Sequence, residues 1–475
     1  MTYRLADQVE LRDGSEGPVL IAQRPLRLLR LNTPLQRLLC SGEDGVINAA
    51  GDAERRALEI LVEKGFVERL DALPPKETVL PSVSVIIPVK DRSGELRTCL
   101  TSLMELDYPA DRLEIIVVDD GSSDATREVA GEFHVLLTDS GGEGLGPAAA
   151  RNRGAAIAGG EVLAFIDSDC TASEQWLKEL VSVFADPEVA AVGGWVDGFY
   201  QSSALDRYEA VMSSLNLGGR ERSGQQGSDT FYLPSCNLLV RREAFRRAGG
   251  FRVELKVGED VDLTWRLRDA GGKILYRPQG TVWHAHRSRL SAFLKRRFEY
   301  GTSEGLLQRL HPRRMKCLAL PPVLLLQVLL LGAALSACSW LPLPLFSLIL
   351  AGDAVRSRRR LARQGIVLSW WAVLLARGRA VFSLAYYLGF HLLRYYLLPQ
   401  VLLVLLVPQA ALPLGVLALW VVAVEYRVRK PRISPVSFLF FSLLEHLAYG
   451  QGVVQGCLKQ KTFASYRFRM RPLAA

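Results

Sequence analysis

The sequence predicts an α/β catalytic domain with a mixed, mostly parallel sheet, preceded by a small α+β unit and followed by an α-helical membrane region. Between residues 82 and 312, short apolar runs alternate with amphipathic segments, which is typical of βαβ units. From residue 313 to 475 the composition is strongly apolar. Two acidic motifs, Asp167-Ser168-Asp169 and Glu259-Asp260, fall inside the α/β part. A chain of 475 residues has room for three such units.

Residues 1–73 predict a small unit of short strands and two helices. Thr33 followed by proline predicts the start of the first helix, with Thr33 as its N-cap. A second helix is predicted over 53–64, ended by a glycine. From these residues alone, an ordinary extension packed on the main domain is an equally good interpretation. Paired prolines predict a linker over 74–81.

The α/β part, residues 82–312, predicts strands that end in polar residues. The predicted strands are 83–88, 113–118, 135–137 and 162–166, and the predicted helices between them are 95–106, 124–133 and 146–158. Each strand is a short and mostly apolar run, with Ser84 and Glu114 as exceptions, as expected in a sheet covered on both faces. The carboxyl ends of such strands form the edge where ligands bind.

Residues 313–475 contain four apolar segments, at 318–335, 340–351, 397–407 and 412–424. A single membrane pass needs roughly 20 apolar residues, so we expect two helical hairpins and four passes. Aromatic residues between the hairpins, from Trp370 to Tyr396, predict interfacial helices. A hydrophobic soluble helical domain is the alternative.

The chain carries a net charge of +9, so nucleic acid has to be considered as a partner. Much of this charge lies in two clusters beside apolar runs, at 356–360 and 427–432. Basic residues next to hydrophobic segments are typical of the cytoplasmic side of a membrane protein. We therefore expect a membrane partner and no nucleic acid.

The seven cysteines are scattered and show no C-x-x-C spacing. This argues against a structural zinc site and against a disulfide framework, and is typical of a reducing compartment. The first residues contain no apolar core of a secretory signal. We expect a multi-pass protein of the inner cell membrane with its catalytic domain in the cytoplasm.

Polar residues follow the first two predicted strands. Pro88 and Asp91 follow the first, and Asp119 and Asp120 follow the second. A carboxylate at this edge can accept hydrogen bonds from a base or a ribose. Alternatively, Asp119 only caps the following helix.

Asp167-Ser168-Asp169 follows the apolar run 162–166. Two carboxylates at a strand end are costly unless they hold a cation, and oxygen ligands of this kind suit a divalent ion that also contacts a diphosphate. Upstream, Arg151 lies on a predicted helix of small residues and has a forked donor for ribose or phosphate oxygens. Close helix packing with Arg151 in solvent is the alternative.

Glu259 and Asp260 open a predicted helix, where carboxylates are favoured in any case. The functional interpretation is a general base that deprotonates an attacking hydroxyl. Further along, His284 and His286 point to opposite faces of an extended segment. At most one of them reaches a metal, and we favour His286.

Six motifs in order resemble the inverting family-two nucleotide-sugar glycosyltransferases, which have a GT-A fold. The resemblance covers roughly 82–290, and the motifs begin at Val83, Val117, Ala150, Phe165, Ser235 and Gly258. It implies that Asp120 helps to bind the nucleotide, that Asp169 coordinates Mg²⁺ or Mn²⁺, and that Asp167 lies near the ribose.

The same resemblance implies that Asp260 is the base and that the acceptor binds near Asn237, Glu259 and Trp265. Asp91 departs from the asparagine that is commoner after the first strand. No Q-x-x-R-W motif follows the second acidic site, and Arg296-Arg297-Phe-Glu-Tyr-Gly stands there instead. A polysaccharide-synthase pore is therefore not expected.

The first 73 residues resemble, more weakly, the PqqD-like winged-helix modules that hold precursor peptides. With the other two regions, the chain resembles the glycosyltransferases of mycofactocin-type biosynthesis. This implies a UDP-glucose donor, a peptide-derived redox cofactor as acceptor and a β-linked oligosaccharide product. The alternatives are a membrane glycosyltransferase acting on a lipid-linked or cell-envelope glycan, and a non-catalytic scaffold that holds a precursor.

Overall fold

The computed structural model describes residues 2–14, 17–23, 26–41, 45–70, 80–142, 144–224, 230–314 and 316–471. The predicted linker at 74–81 lies outside these residues except for its last two positions. An N-terminal, a catalytic and a C-terminal region follow one another along the chain.

The N-terminal region has two small sheets and two helices, with the bounds β1 Thr2–Leu5, β2 Val9–Gly14, β3 Gly17–Gln23, β4 Leu26–Arg30, α1 Thr33–Cys40, β5 Val46–Asn48, α2 Asp52–Glu63 and β6 Val67–Arg69. Strand β1 lies between β5 and β6, and β2, β3 and β4 form an antiparallel meander. Both predicted helices are present. The N-cap of α1 is Asn32 rather than the predicted Thr33, because the Asn32 side chain accepts a hydrogen bond from the backbone N–H of Leu35 at 3.0 Å.

The N-terminal region packs against both other regions. Arg69 on β6 lies 3.6 Å from Glu221 of the catalytic region. Ile21 on β3 is buried against Ile366, which lies in the C-terminal region. The unit is therefore docked on the rest of the chain.

The catalytic region contains eleven strands and eight α-helices within the described residues. Their bounds are β7 Val83–Val89, α3 Ser93–Met104, β8 Leu113–Asp119, α4 Thr126–Gly131, β9 Leu136–Asp139, α5 Pro147–Ile157, β10 Val162–Ile166, β11 Cys170–Ala172, α6 Trp176–Val181, β12 Val189–Gly193, β13 Val196–Gly198, α7 Ala204–Met212, β14 Arg222–Gly224, β15 Asn237–Arg241, α8 Arg242–Arg247, α9 Glu259–Asp269, β16 Lys273–Tyr276, β17 Val282–His284 and α10 Leu290–Leu310.

The main sheet has eight strands in the order β14-β16-β12-β15-β10-β7-β8-β9. Its β10-β7-β8-β9 half is parallel, and β15 runs antiparallel to both of its neighbours. The predicted strands at 83–88, 113–118 and 162–166 are confirmed to within one residue. Every residue of β7 and β10 is buried, including Ser84, and these mostly apolar strands lie at the centre of the sheet.

A second sheet of three strands, β11-β17-β13, lies beside the acidic turn that follows β10. In its register Cys170 on β11 is the partner of His284 on β17. This pairing brings a histidine from far along the chain next to Asp169.

The C-terminal region is mainly helical, with the bounds β18 Lys316–Ala319, α11 Pro322–Ser336, α12 Pro342–Arg363, α13 Trp370–Leu406, α14 Ala411–Arg429, α15 Pro435–Gln460 and β19 Phe468–Arg471. Within the described residues, two helical segments are long and apolar enough to cross a membrane, Trp370–Leu406 and Pro408–Arg429.

The predicted four membrane passes are not supported. Helix α11 has 15 residues, short of the roughly 20 that a pass needs. Helix α12 ends in a run of arginines. The segment expected to form interfacial helices is instead continuous with the third apolar segment as the 37-residue helix α13, which contains Pro399.

Helix α15 crosses helix α10 of the catalytic region at glycines. A Cβ atom on Gly301 would lie 2.2 Å from the carbonyl oxygen of Tyr449, and one on Gly456 would lie 2.3 Å from that of Thr302. The two backbones are therefore in direct contact, and the last long helix is built into the catalytic region.

Candidate active site

A cleft of about 890 Å³ lies where the parallel strands end. One side, the sheet half, is formed by the ends of β7, β8 and β10 with α5, and includes Pro88, Arg92, Asp120, Arg151, Asp167 and Asp169. The opposite side, the helix half, includes Tyr232, Asp260, Trp265, Tyr300, Glu445 and Tyr449. The two predicted acidic motifs thus come together and line one cavity.

Asp120, at the end of β8, lines the sheet half and organises the loop before α5. Its carboxylate accepts hydrogen bonds from the Ser140 hydroxyl at 2.6 Å and from the backbone N–H groups of Leu145 and Gly146 at 2.9 and 2.8 Å. Gly146 has a φ of +94°, a conformation that favours glycine. Asp120 therefore fixes the loop that forms this edge of the cleft.

Asp119 is not among the residues that line the cleft, and its role in donor binding stays a prediction. Its buried carboxylate accepts hydrogen bonds from the Ser122 N–H at 3.1 Å and from Arg127 at 2.9 Å. The carboxylate of Asp91 is likewise turned to Ser123, whose N–H donates at 2.7 Å. Both residues stabilise the loops beyond the strands, but the alternative that Asp119 caps the following helix is wrong, because α4 begins after Ala125 and has no side-chain cap.

Asp169 lies in a strongly positive environment. Arg92 donates a hydrogen bond to its carboxylate, and the side chains of His284 and Arg287 lie 3.5 and 3.7 Å away. Burial alone would raise the pKa of Asp169, but His284, Arg92 and Arg287 outweigh burial and lower that pKa to about 2. The carboxylate is ionised at any physiological pH.

The histidine paired with Asp169 is His284, whereas we favoured His286. Ligand atoms of Asp169, Cys170 and His284 lie within 4.8 Å of one another. Within the described part of the chain, Nδ1 of His284 is buried and has no hydrogen-bond partner. The His286 ring lies against the His284 ring, with 4.8 Å between centroids. Burial raises the pKa of the Cys170 thiol well above its usual value, so this sulfur stays protonated.

Arg151 connects the two acidic motifs. One nitrogen of its guanidinium donates to Asp167 at 2.6 Å and the other to Glu259 at 2.8 Å. Its side chain is only 3% exposed. Arg151 thus holds the two carboxylates in place, and a direct contact of this residue with ribose or phosphate stays a prediction.

Asp260 lies in the first turn of α9, as predicted. The residue before Glu259, Gly258, caps the helix with a φ of +82°. One carboxylate oxygen of Asp260 accepts a hydrogen bond from the Ser235 N–H at 3.2 Å. Burial and the neighbouring charge of Glu259 raise the pKa of Asp260 to about 7. A carboxyl group with this pKa can exchange a proton near neutral pH.

Trp265 lines the helix half, and Asn237 directly follows the lining residues Ser235 and Cys236, so that acceptor binding near Asn237 stays a prediction. Asn237 is fully buried, and its amide donates to the carbonyls of Trp195 and Gly280 while accepting a hydrogen bond from Trp176 at 2.8 Å. With its donors and its acceptor engaged inside the fold, Asn237 supports the wall of the site from behind.

The glycosyl transferase family 2 model matches residues 84–249. The "Pre-mycofactocin glycosyltransferase" of Mycobacterium tuberculosis is 31% identical over 96% of this chain and 95% of its own length. The chain belongs to glycosyl transferase family 2. It is therefore a nucleotide-sugar-dependent glycosyltransferase, and its mixed sheet is that of a GT-A fold.

Two further proteins are similar to this glycosyltransferase. "Glycosyltransferase AglE" of Haloferax volcanii is 33% identical over 51% of this chain and 80% of its own length. Among solved structures, the "Mannosyltransferase PcManGT from Pyrobaculum calidifontis in complex with GDP-Man and Mn2+" is 22% identical. It covers 64% of this chain and 88% of its own, with a TM-score of 0.40.

The glycosyltransferase cleft also contains residues that the sequence analysis missed. Arg394 on α13 pairs with Glu445 on α15 at 2.8 Å and stacks 3.6 Å from the centroid of the Tyr449 ring. Arg297 on α10 lies 3.6 Å from the same glutamate. A charge inside an otherwise apolar helix commonly marks a functional site, and this signal was present at Arg394 and Glu445.

Proposed function

We propose that this glycosyltransferase transfers glucose from UDP-glucose, with inversion, to a peptide-derived redox cofactor of the mycofactocin type and extends a β-linked oligosaccharide on it. One observation carries the proposal: the similarity to the pre-mycofactocin glycosyltransferases spans 96% of the chain, including the N-terminal and C-terminal regions. The similarity to AglE, in contrast, spans only 51% of the chain.

The proposed donor site is the sheet half of the cleft. Asp120 fixes the edge of this half, and Asp167 lines it. Pro88, next to last in strand β7, lines it as well. We assign Mg²⁺ or Mn²⁺ to Asp169 and His284, because the ionised carboxylate and the imidazole nitrogen Nε2, which lies 3.5 Å from it, are suitable donors. Such an ion supplies positive charge to a leaving diphosphate, an effect commonly worth several kcal/mol.

Asp260 is the proposed general base. It takes the proton of the acceptor hydroxyl as that oxygen forms a bond to the anomeric carbon, and the bond from this carbon to the UDP oxygen breaks with its electron pair. A single displacement of this kind inverts the configuration. The raised pKa of Asp260, about 7, supports the role because a base works best with a pKa near the working pH.

We further propose that the N-terminal region is a PqqD-like module that holds the peptide-derived acceptor or its precursor, and that α13 and α14 anchor the protein in the inner membrane as a multi-pass protein with a cytoplasmic catalytic region. The two small sheets with two helices, docked through Arg69, support the first assignment. The length and apolar composition of α13 and α14 support the second.

The test uses the purified full-length protein with UDP-glucose, Mn²⁺ and pre-mycofactocin, followed by mass spectrometry of the acceptor. We expect successive additions of one hexose, and their loss in Asp260→Asn and in the presence of EDTA. A parallel reaction contains a polyprenyl phosphate in place of pre-mycofactocin. Transfer to the lipid alone contradicts the proposed acceptor, and transfer from GDP-mannose alone contradicts the proposed donor.

A further inference from the structure

The carboxylate that we assign to the cation is already paired with a guanidinium. Arg92 follows strand β7 and donates a hydrogen bond to Asp169. The Asp169 side chain is 6% exposed, whereas that of Arg92 is 28% exposed and lines the open cleft. An arginine that is partly in solvent thus lies on the approach to a buried carboxylate.

We propose that Arg92 competes with the divalent cation for Asp169, and that on cation binding its side chain turns to the donor diphosphate. Two like charges at one carboxylate repel each other, so the guanidinium has to leave when a dication arrives. A guanidinium also matches the oxygens of a diphosphate, because its planar fork donates two hydrogen bonds at once. The inference rests on the proposed cation site.

The main chain around Arg92 is held in place, so that this change needs only the side chain. The backbone N–H of Arg92 donates to the hydroxyl of Thr126 at 3.0 Å, and that of Ser93 donates to Asp124 at 3.1 Å. The backbone N–H of Asp91 donates to the hydroxyl of Ser122 at 2.9 Å. A flexible side chain on a fixed backbone can exchange one partner for another without rearranging the loop.

The other arginine of the sheet half is fixed. Arg151 is 3% exposed and is held between Asp167 and Glu259. Arg287 also lines the cleft, but it lies 3.7 Å from the Asp169 oxygen that Arg92 contacts, farther than a hydrogen bond. Arg92 therefore combines direct contact with Asp169 and a path into the open cleft.

The experiment measures Mn²⁺ binding to the full-length protein by calorimetry without nucleotide, and then UDP binding at saturating Mn²⁺. For Arg92→Gln we expect Mn²⁺ to bind about tenfold more tightly and UDP about tenfold more weakly, the change that loss of one charge-assisted hydrogen bond produces. Arg92→Lys keeps the charge, so its affinity for Mn²⁺ should stay nearly as low as that of the wild type. Arg97→Gln is the matched control, since Arg97 lies on α3, the helix that Arg92 precedes, and pairs with Glu132 at the surface.

A general loss of structure weakens the binding of both Mn²⁺ and UDP. Opposite changes in the two affinities therefore distinguish competition at Asp169 from misfolding. Unchanged or weaker Mn²⁺ binding in Arg92→Gln overturns this inference and leaves the cation site standing. Equal Mn²⁺ binding by the wild type and Asp169→Asn overturns the cation site itself, and the role of Arg92 with it.

Discussion

Arg394 on α13 and Glu445 on α15 form an ion pair of 2.8 Å in the helix half of the cleft, the side that also includes Asp260. Both residues lie outside the segment 84–249 that the family model matches. The helix half of the active site is thus formed in part by two helices of the C-terminal region, α13 and α15.

Glu445→Gln should weaken acceptor binding and spare the donor. The change leaves Arg394 and Arg297 without their shared carboxylate in a buried position, and breaking such a pair commonly costs 2–5 kcal/mol. We expect the KM for pre-mycofactocin to rise about tenfold or more. The rate at which water hydrolyses UDP-glucose on the enzyme, measured without acceptor, should not change. Asp353→Asn is the control, because Asp353 pairs with Arg377 at 2.5 Å between α12 and α13, away from the cleft. Equal kinetics in the two variants would contradict a role of Glu445 at the acceptor.

Asp260→Asn should lower kcat by about 10²–10⁴-fold, the usual contribution of a general base, and leave UDP affinity unchanged. In the wild type, the pKa of about 7 means that the active carboxylate is lost as the pH falls below 7. We expect kcat to fall about tenfold per pH unit below that value. A rate that is flat between pH 5 and 8 would exclude Asp260 as the base.

The same substitution should stabilise the fold at alkaline pH. The folded-state pKa of Asp260 is raised from 3.8 to about 7, so the folded protein favours the protonated form. Ionisation of Asp260 therefore lowers the free energy of unfolding. This loss is absent below the unfolded pKa, grows as the pH rises and is complete above 7. Asparagine resembles the protonated form. Asp260→Asn should therefore raise Tm most at pH 8, by an amount equivalent to roughly 1–3 kcal/mol, and hardly at all at pH 4. Thermal melts across this range measure it, and a gain that is independent of pH would point to another cause.

Gly456→Ala should destabilise the protein because the added methyl group would meet the Thr302 carbonyl oxygen at 2.3 Å. Such overpacking typically costs about 1–3 kcal/mol. Gly415→Ala, in α14, is the control, since a Cβ there meets nothing within 4 Å and alanine is the better helix former. The two substitutions should therefore shift Tm in opposite directions in detergent. A shared sign would show that the α10–α15 contact is looser than described.

Local patterns were sufficient for the strands and for the acidic residues at their ends. The runs of β7, β8 and β10 are apolar apart from Ser84, Glu114 and the terminal Asp119, so length and composition define them. The first turn of α9 was likewise predictable from Gly258-Glu259-Asp260. Each of these features depends on neighbours in the sequence.

Features that depend on distant residues were not predictable. Spacing cannot tell which histidine faces Asp169, because the register of β11 with β17 decides it. Asn237 lies in a motif beside the cleft, yet three buried partners turn its amide inward. The continuity of α13 was missed because tyrosines and an arginine near its centre suggested a surface segment, whereas Arg394 is paired with another helix.

The glycine crossing of α10 and α15 makes the order of synthesis matter for this enzyme. The segment 84–249 emerges from the ribosome with its strands and acidic turn complete, but Glu445 and Tyr449 follow much later. Until α15 has docked at Gly301, the cleft is open to water on the side opposite the donor. A nascent or prematurely ended chain would therefore hydrolyse nucleotide sugar slowly at most and glycosylate no acceptor. Transfer to the acceptor requires that the distal helices have docked.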